Sequence, residues 1–160
     1  MRRVIAIHRN SGWPEAQAGG TVTLSYLDRH RRRLRLSADD GTPFLLDLPR
    51  ATVLGEGDGL ELEGGGFLRV RAAAEALAEI TCRDGAELAR IAWHLGNRHL
   101  PMQVAEGRLR IRWDHVIVDM VAGLGARISR IEAAFDPEAG AYAEGGHGHH
   151  HDHDDSSHSH

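Results

Sequence analysis

Histidine is the residue through which this chain can do the most chemistry. Seven of its twelve histidines fall in the closing stretch GGHGHHHDHDDSSHSH, Gly145 to His160. Neutral imidazole ligates nickel, copper and zinc, and affinity along the first row rises from manganese to copper and falls back at zinc. His147, His149, His150, His151, His153, His158 and His160, with Asp152, Asp154 and Asp155 among them, can wrap more than one ion without imposing a geometry. Such a string collects metal and selects it poorly. Its interleaved aspartates, serines and glycines set it apart from the unbroken histidine run of a purification tag. It has no apolar residue to bury, so residues 144–160 are expected to be disordered without metal.

The other five histidines stand singly. His99, in WHLGNRHLP, follows a predicted helix and precedes Pro101, a place where a side chain is exposed. One imidazole is a weak ligand, but a two-fold dimer through this surface would bring two copies together. His115, in WDHVIVDM, opens a second predicted helix and is expected to be accessible too. Taken alone, each of these two is an ordinary solvated residue. His94 falls on the last turn of the first helix, where a partly positive ring suits the negative end of the dipole. His8 and His30 have no partners nearby in sequence.

Enzyme chemistry finds little footing. There is no nucleophile elbow, no H-E-x-x-H and no paired cysteine motif, and Asp114 reads as a helix cap. The glycine clusters GEGDG and GGG lack the phosphate-loop pattern and lead into no helix, so they read as hairpin turns. The run DRHRRRLRL alternates with Leu34 and Leu36 and carries no interleaved aromatics. It is a solvated strand face or a protein contact in preference to a nucleic-acid site.

Composition bounds the rest. A chain of 160 residues is one domain or two small ones, and its net charge of −4 gives no global field for nucleic acid. With 5% aromatic residues, the core rests on Ala, Leu, Ile and Val, which favours oligomerisation. The single cysteine, Cys82, fits a reducing compartment and reads as a buried structural thiol. Arg2-Arg3 followed by VIAI stops at His8, too short for a secretory signal, and no stretch is long and apolar enough to span a membrane. The cytoplasm is the default.

The elements that must position these histidines divide into two grammars. In the first half, Thr21–Leu27, Arg32–Ser37, Phe44–Leu48 and the two runs of LELEGGGFLRV alternate with a period of two between turn signals. That pattern predicts a small all-β domain, residues 1–73. From residue 74 the grammar changes. Glu75–Cys82 reads as a strand. Asp84 with Glu87 makes a capping-box-like start, and Leu88, Ile91, Ala92 and Leu95 form one helical stripe. Gly96 and Asn97 supply a left-handed stop. The strands MQV and RLRIRW turn at Glu106-Gly107. A second helix starts at the Asp114 cap, carries Ile117, Met120, Val121 and Leu124, and ends at Gly123 and Gly125. ARISRIEAAF is the last strand. The order βαββαβ predicts a ferredoxin-like domain over 74–143, with both helices on one face of an antiparallel sheet. The fold class is therefore two-domain α+β.

The chain resembles the urease accessory protein E family, the nickel metallochaperones of urease maturation. GNRHLP (Gly96 to Pro101) is the most specific match, and it extends through WDHVIVDM and FDPEAGAY. FLLDLPR and GDGLELEGGGFLRV are similar to that family's N-terminal, peptide-binding-like domain. The resemblance covers nearly all of 1–143, and a His-rich tail is frequent in the family. It implies a cytoplasmic homodimer joined through the ferredoxin-like domains, with His99 of each subunit as the primary nickel ligand and His115 as a secondary one. It also implies delivery of Ni²⁺ to the urease apoprotein complex through a maturation GTPase. Where some members have a second histidine two places before His115, this chain has Trp113, which puts an accessory surface site in doubt. Other readings are a nickel or zinc buffering protein without a delivery partner, with Zn²⁺ or Cu²⁺ also bound, and a peptide-binding module with metal incidental.

Overall fold

In a computed structural model, residues 1–139 are described, and the seven tail histidines and the expected disorder of 144–160 lie outside them. The described chain forms two domains, a strand-rich one followed by a mixed one, as the two grammars predict. The first contains β1 (Arg2–His8), β2 (Ala18–Leu24), a one-turn helix α1 (Tyr26–Arg29), β3 (His30–Ser37), β4 (Pro43–Val53), β5 (Gly59–Leu62) and β6 (Phe67–Ala72). These six strands make one sheet in the order β2-β6-β5-β1-β4-β3. Two of its pairings, β1 with β4 and β2 with β6, are parallel. The sheet's inward residues, among them Val22, Phe44, Leu46, Leu60 and Val70, are almost wholly buried and form the first core. Gly59 is needed there because a Cβ at that position would meet the Trp13 ring at 2.4 Å.

Three details differ from the sequence expectation. The VIAI stretch is part of strand β1, paired with β5 across a long intervening segment. The strand starting at Phe44 runs on to Val53, through Pro49. The strand expected to reach Leu27 stops at Leu24, because Ser25 caps α1 and its hydroxyl accepts the Asp28 N–H at 3.2 Å. The turn of helix places Tyr26 and Arg29 on one side, and both are buried at the contact between the domains. There Arg29 donates to the carbonyl of Leu54 at 3.1 Å and to that of Phe135. Tyr26 packs edge-on against Phe135, with Leu77 completing the cluster. The Glu75 carboxylate accepts the Tyr26 N–H at 2.9 Å.

The second domain contains β7 (Ala74–Thr81), α2 (Gly85–Gly96), β8 (Gln103–Ala105), β9 (Arg108–Arg112), α3 (His115–Gly123) and β10 (Arg127–Ala134). Its sheet runs β10-β7-β9-β8 with every pairing antiparallel, the ferredoxin-like order. Both helices pack on one face: Ile91 and Leu95 of α2 and Ile117 and Val121 of α3 share a core with Ala78, Ile80, Leu109 and Ile111. Leu124, expected on the α3 stripe, is instead exposed just past the helix end. The other face carries Leu77 and Ile131 towards the first domain. Cys82 is a free, half-buried thiol, and burial pushes its pKa up, with Glu87 and Asp84 adding to the effect.

Both helix starts are built as expected. Asp84 accepts the Glu87 N–H at 2.8 Å, and Glu87 reaches back to the Arg83 N–H at 2.6 Å, a reciprocal arrangement one residue wider than the usual box. Asp114 accepts from Val116 and Ile117 at 2.9 and 3.3 Å. Each cap contributes about 1 kcal/mol. No helix among the described residues is long and apolar enough to cross a membrane.

Candidate metal centre

The end of α2 departs from the sequence expectation in a way that bears on His99. Gly96 is the last helical residue and Asn97 keeps a right-handed conformation, with φ −65°. The left-handed step falls two residues later, on His99 itself, at φ 54°. The chain between tightens into three-residue turns, with Arg98 N–H donating to Leu95 O at 3.1 Å and His99 N–H to Gly96 O at 3.0 Å. Left-handed backbone costs a non-glycine residue about 1–2 kcal/mol, although histidine tolerates it better than most. The step turns Leu100 back towards the domain core and leaves the His99 side chain exposed. The left-handed position is thus His99 and not the Gly96-Asn97 pair that the sequence suggests. The signal, a Gly-Asn pair at a helix end, was present but pointed at the wrong residue.

His115 is the first residue of α3 and is exposed. The Asp114 carboxylate beside it is committed to capping, which fits the cap reading. The chain neighbours of the two histidines line one hollow. Leu100 and Pro101, next to His99, line it from one side, and Trp113 and Asp114, next to His115, line it from the other, above Ile111 and Ile117. Trp113 is a packing residue in this chain: it joins the helical core and the Arg130 guanidinium lies 4.8 Å over its ring. Two large apolar side chains stand in solvent nearby along the chain, Trp93 at 64% exposure and Val116 at 59%.

The remaining histidines are accounted for locally. His94, in the last turn of α2, is half-buried and meets the Trp93 ring edge-on at 5.0 Å. His8, without a partner nearby in sequence, has one in space: its Nε2 lies 2.7 Å from a Glu61 carboxylate oxygen across the β1–β5 pair. His30 sits against Tyr26. Among the described residues, no three of His, Cys, Asp and Glu converge to hold an ion. Neither His99 nor His115 therefore belongs to such a three-residue group.

An all-β domain followed by a ferredoxin-like domain that presents solitary histidines matches two adjoining family models. The UreE urease accessory protein N-terminal domain covers residues 2–73, and the UreE urease accessory protein C-terminal domain covers residues 75–160. The chain is 57% identical over 145 residues to the urease accessory protein UreE of Bradyrhizobium sp. (strain ORS 278), spanning 91% of this chain and 67% of that protein. It is 49% identical over 144 residues to that of Chelativorans sp. (strain BNC1), spanning 90% and 91%. The match to that of Beijerinckia indica is 49% over 146 residues, spanning 91% and 84%. The chain spans about two thirds of the length of its Bradyrhizobium relative. It belongs to the UreE urease accessory protein family, a class of accessory proteins and not of catalysts.

Proposed function

We propose that this protein is a cytoplasmic nickel metallochaperone that collects Ni²⁺ and delivers it to the urease maturation complex. In this reading residues 1–73 dock clients, residues 74–143 dimerise and bind metal, and 144–160 gather ions. The observation that carries it is His99: exposed, held in a left-handed conformation, and part of no group of three ligating side chains among the described residues. A strained, solvent-facing ligand that cannot build a site alone is what a two-fold interface completes, since symmetry supplies the second imidazole. Exposed Trp93 and Val116 give that interface apolar area to bury. His115, exposed at the start of α3, is a secondary donor. His147, His149, His150, His151, His153, His158 and His160 form the weaker collecting sites.

Nickel is cargo here, passed by ligand exchange from the tail to the His99 pair and on to the maturation GTPase and the urease apoprotein. Ligation requires neutral imidazole, so protons compete with metal and loading weakens below about pH 6.5, where free histidine titrates. Calorimetric titration of wild type against His99→Ala tests the assignment. The tight site, one per dimer, is expected to disappear while weaker tail sites persist, and an unchanged tight site would overturn the reading. Deleting residues after Glu144 is expected to lower total nickel stoichiometry and leave the dimer intact.

A further inference from the structure

Sheet edges expose unpaired backbone groups and have to be protected. The β2 edge is met by a turn: Asp39 N–H donates to Thr21 O at 2.8 Å, and the Asp39 carboxylate accepts from Thr23 N–H at 2.9 Å. The β10 edge carries charges of both signs, Arg127 and Arg130 with Glu132. The β3 edge has neither device. Its ladder runs to β4 alone, and among the described residues no backbone group of β3 bonds to a strand on its other side.

β3 is also charged with one sign only. Arg31, Arg32, Arg33 and Arg35 are all exposed, and the strand contains no acidic residue. Among the described residues, the one carboxylate within 4.0 Å of these guanidiniums is Asp47, 3.9 Å from Arg33. The sheet register extends the positive surface inward. Arg35 lies opposite Leu45, and Leu45 lies opposite Arg3 of β1. Arg33 and Arg35 share a face of β3, and Ile5, at 60% exposure, follows Arg3 by two residues on β1. Charge alone would protect an edge, and mixed charge does so on β10 without self-repulsion. A single-sign row along an open backbone edge is instead a complementary surface for a chain of the opposite sign.

We propose that the β3 edge docks an acidic, extended segment of a partner protein, which adds as a further strand and sets its carboxylates against Arg33 and Arg35. Backbone hydrogen bonds to the open edge supply affinity, and alternate side chains supply specificity. Guanidinium matches carboxylate through paired, charge-assisted hydrogen bonds. The residues between the acids would point to the other face of the sheet, beside the half-buried Leu34 and Leu36. The surface offers no exposed aromatic for stacking bases, which sets the acidic segment above a nucleic acid. It lies on a different domain from His99, so this docking stands or falls independently of nickel binding.

The test is fluorescence anisotropy of the full chain with a labelled eight-residue peptide of alternating glutamate and valine. Its lysine-valine counterpart and a form N-methylated along one edge serve as comparisons. The acidic peptide is expected to bind and to weaken with salt, with the lysine peptide inert and the N-methylated form lost. Arg33→Glu with Arg35→Glu is expected to weaken it about tenfold or more, and the milder Arg33→Gln with Arg35→Gln less, with nickel titration unchanged in both. No binding of the acidic peptide, equal binding of the lysine peptide, or an unaltered affinity in the double variants would overturn the proposal. So would tighter binding of oligothymidylate or of phosphatidylserine vesicles.

Discussion

The two helices of the second domain leave their last turns by the same device but with different residues. After α3 the left-handed position is Gly125, φ 94°, whose N–H donates to Ala122 O at 3.0 Å. After α2 it is His99, φ 54°, with the equivalent three-residue bond to Gly96 O at 3.0 Å. Glycine takes this conformation without steric cost, and a side chain does not. The α3 end therefore shows how the fold terminates a helix when only the fold is at stake. The α2 end keeps a left-handed histidine backbone where glycine would cost less, and the proposed metal role of His99 supplies a reason for it.

Substitutions at these two ends test that reading. The largest effect expected is on metal: His99→Gly and His99→Ala should each weaken the tight nickel site by more than about a hundredfold, read by calorimetry at fixed pH. Gly125→Ala should destabilise the domain by about 1–2 kcal/mol in denaturant unfolding. The cost is in the backbone, because a Cβ there finds only the Glu87 carboxylate at 3.7 Å. The two His99 variants, alike in metal binding, should then differ in stability, with His99→Gly above His99→Ala by about 1 kcal/mol. Equal stabilities would show that the α2 end is not strained. The smallest effect is a pH slope at the start of α2. The Arg83 N–H holds the Glu87 carboxyl below its ordinary value of 4.5, with the Arg83 side chain helping against burial. A lowered pKa stabilises the fold above the unfolded value and loses that contribution as pH falls through the folded one. Glu87→Gln should thus cost stability near neutral pH, and its difference from wild type should shrink in melts below about pH 4.5.

What could be read from sequence tracked how local the determinants are. The caps at Asp84 and Asp114 and the stripe Leu88, Ile91, Ala92, Leu95 act within one or two turns, and they placed both helices. Alternation marked most strands, because one side of each faces a core. It could not show that β1 pairs parallel with β4 or that β2 pairs parallel with β6, since those partners lie far apart in the chain. It also carried Thr21–Leu27 past its end, because Tyr26 continues the apolar pattern while its burial comes from Phe135 of the other domain. His99 was legible as a candidate ligand from its motif and its place beyond a helix. Its backbone conformation was not, because where a helix tightens before reversing depends on where Leu100 finds the core.

The Arg29 junction has a thermodynamic consequence. Arg29 is 1% exposed, and its guanidinium holds one carbonyl from each domain, Leu54 and Phe135. Were either domain to open alone, a buried cation would lose its acceptors and the Tyr26–Phe135–Leu77 cluster would be stripped of one side. Partial unfolding is thereby penalised in both directions. Heating the protein should give one calorimetric transition with matching van't Hoff and calorimetric enthalpies, so that the β-rich half and the histidine-bearing half survive or fail together.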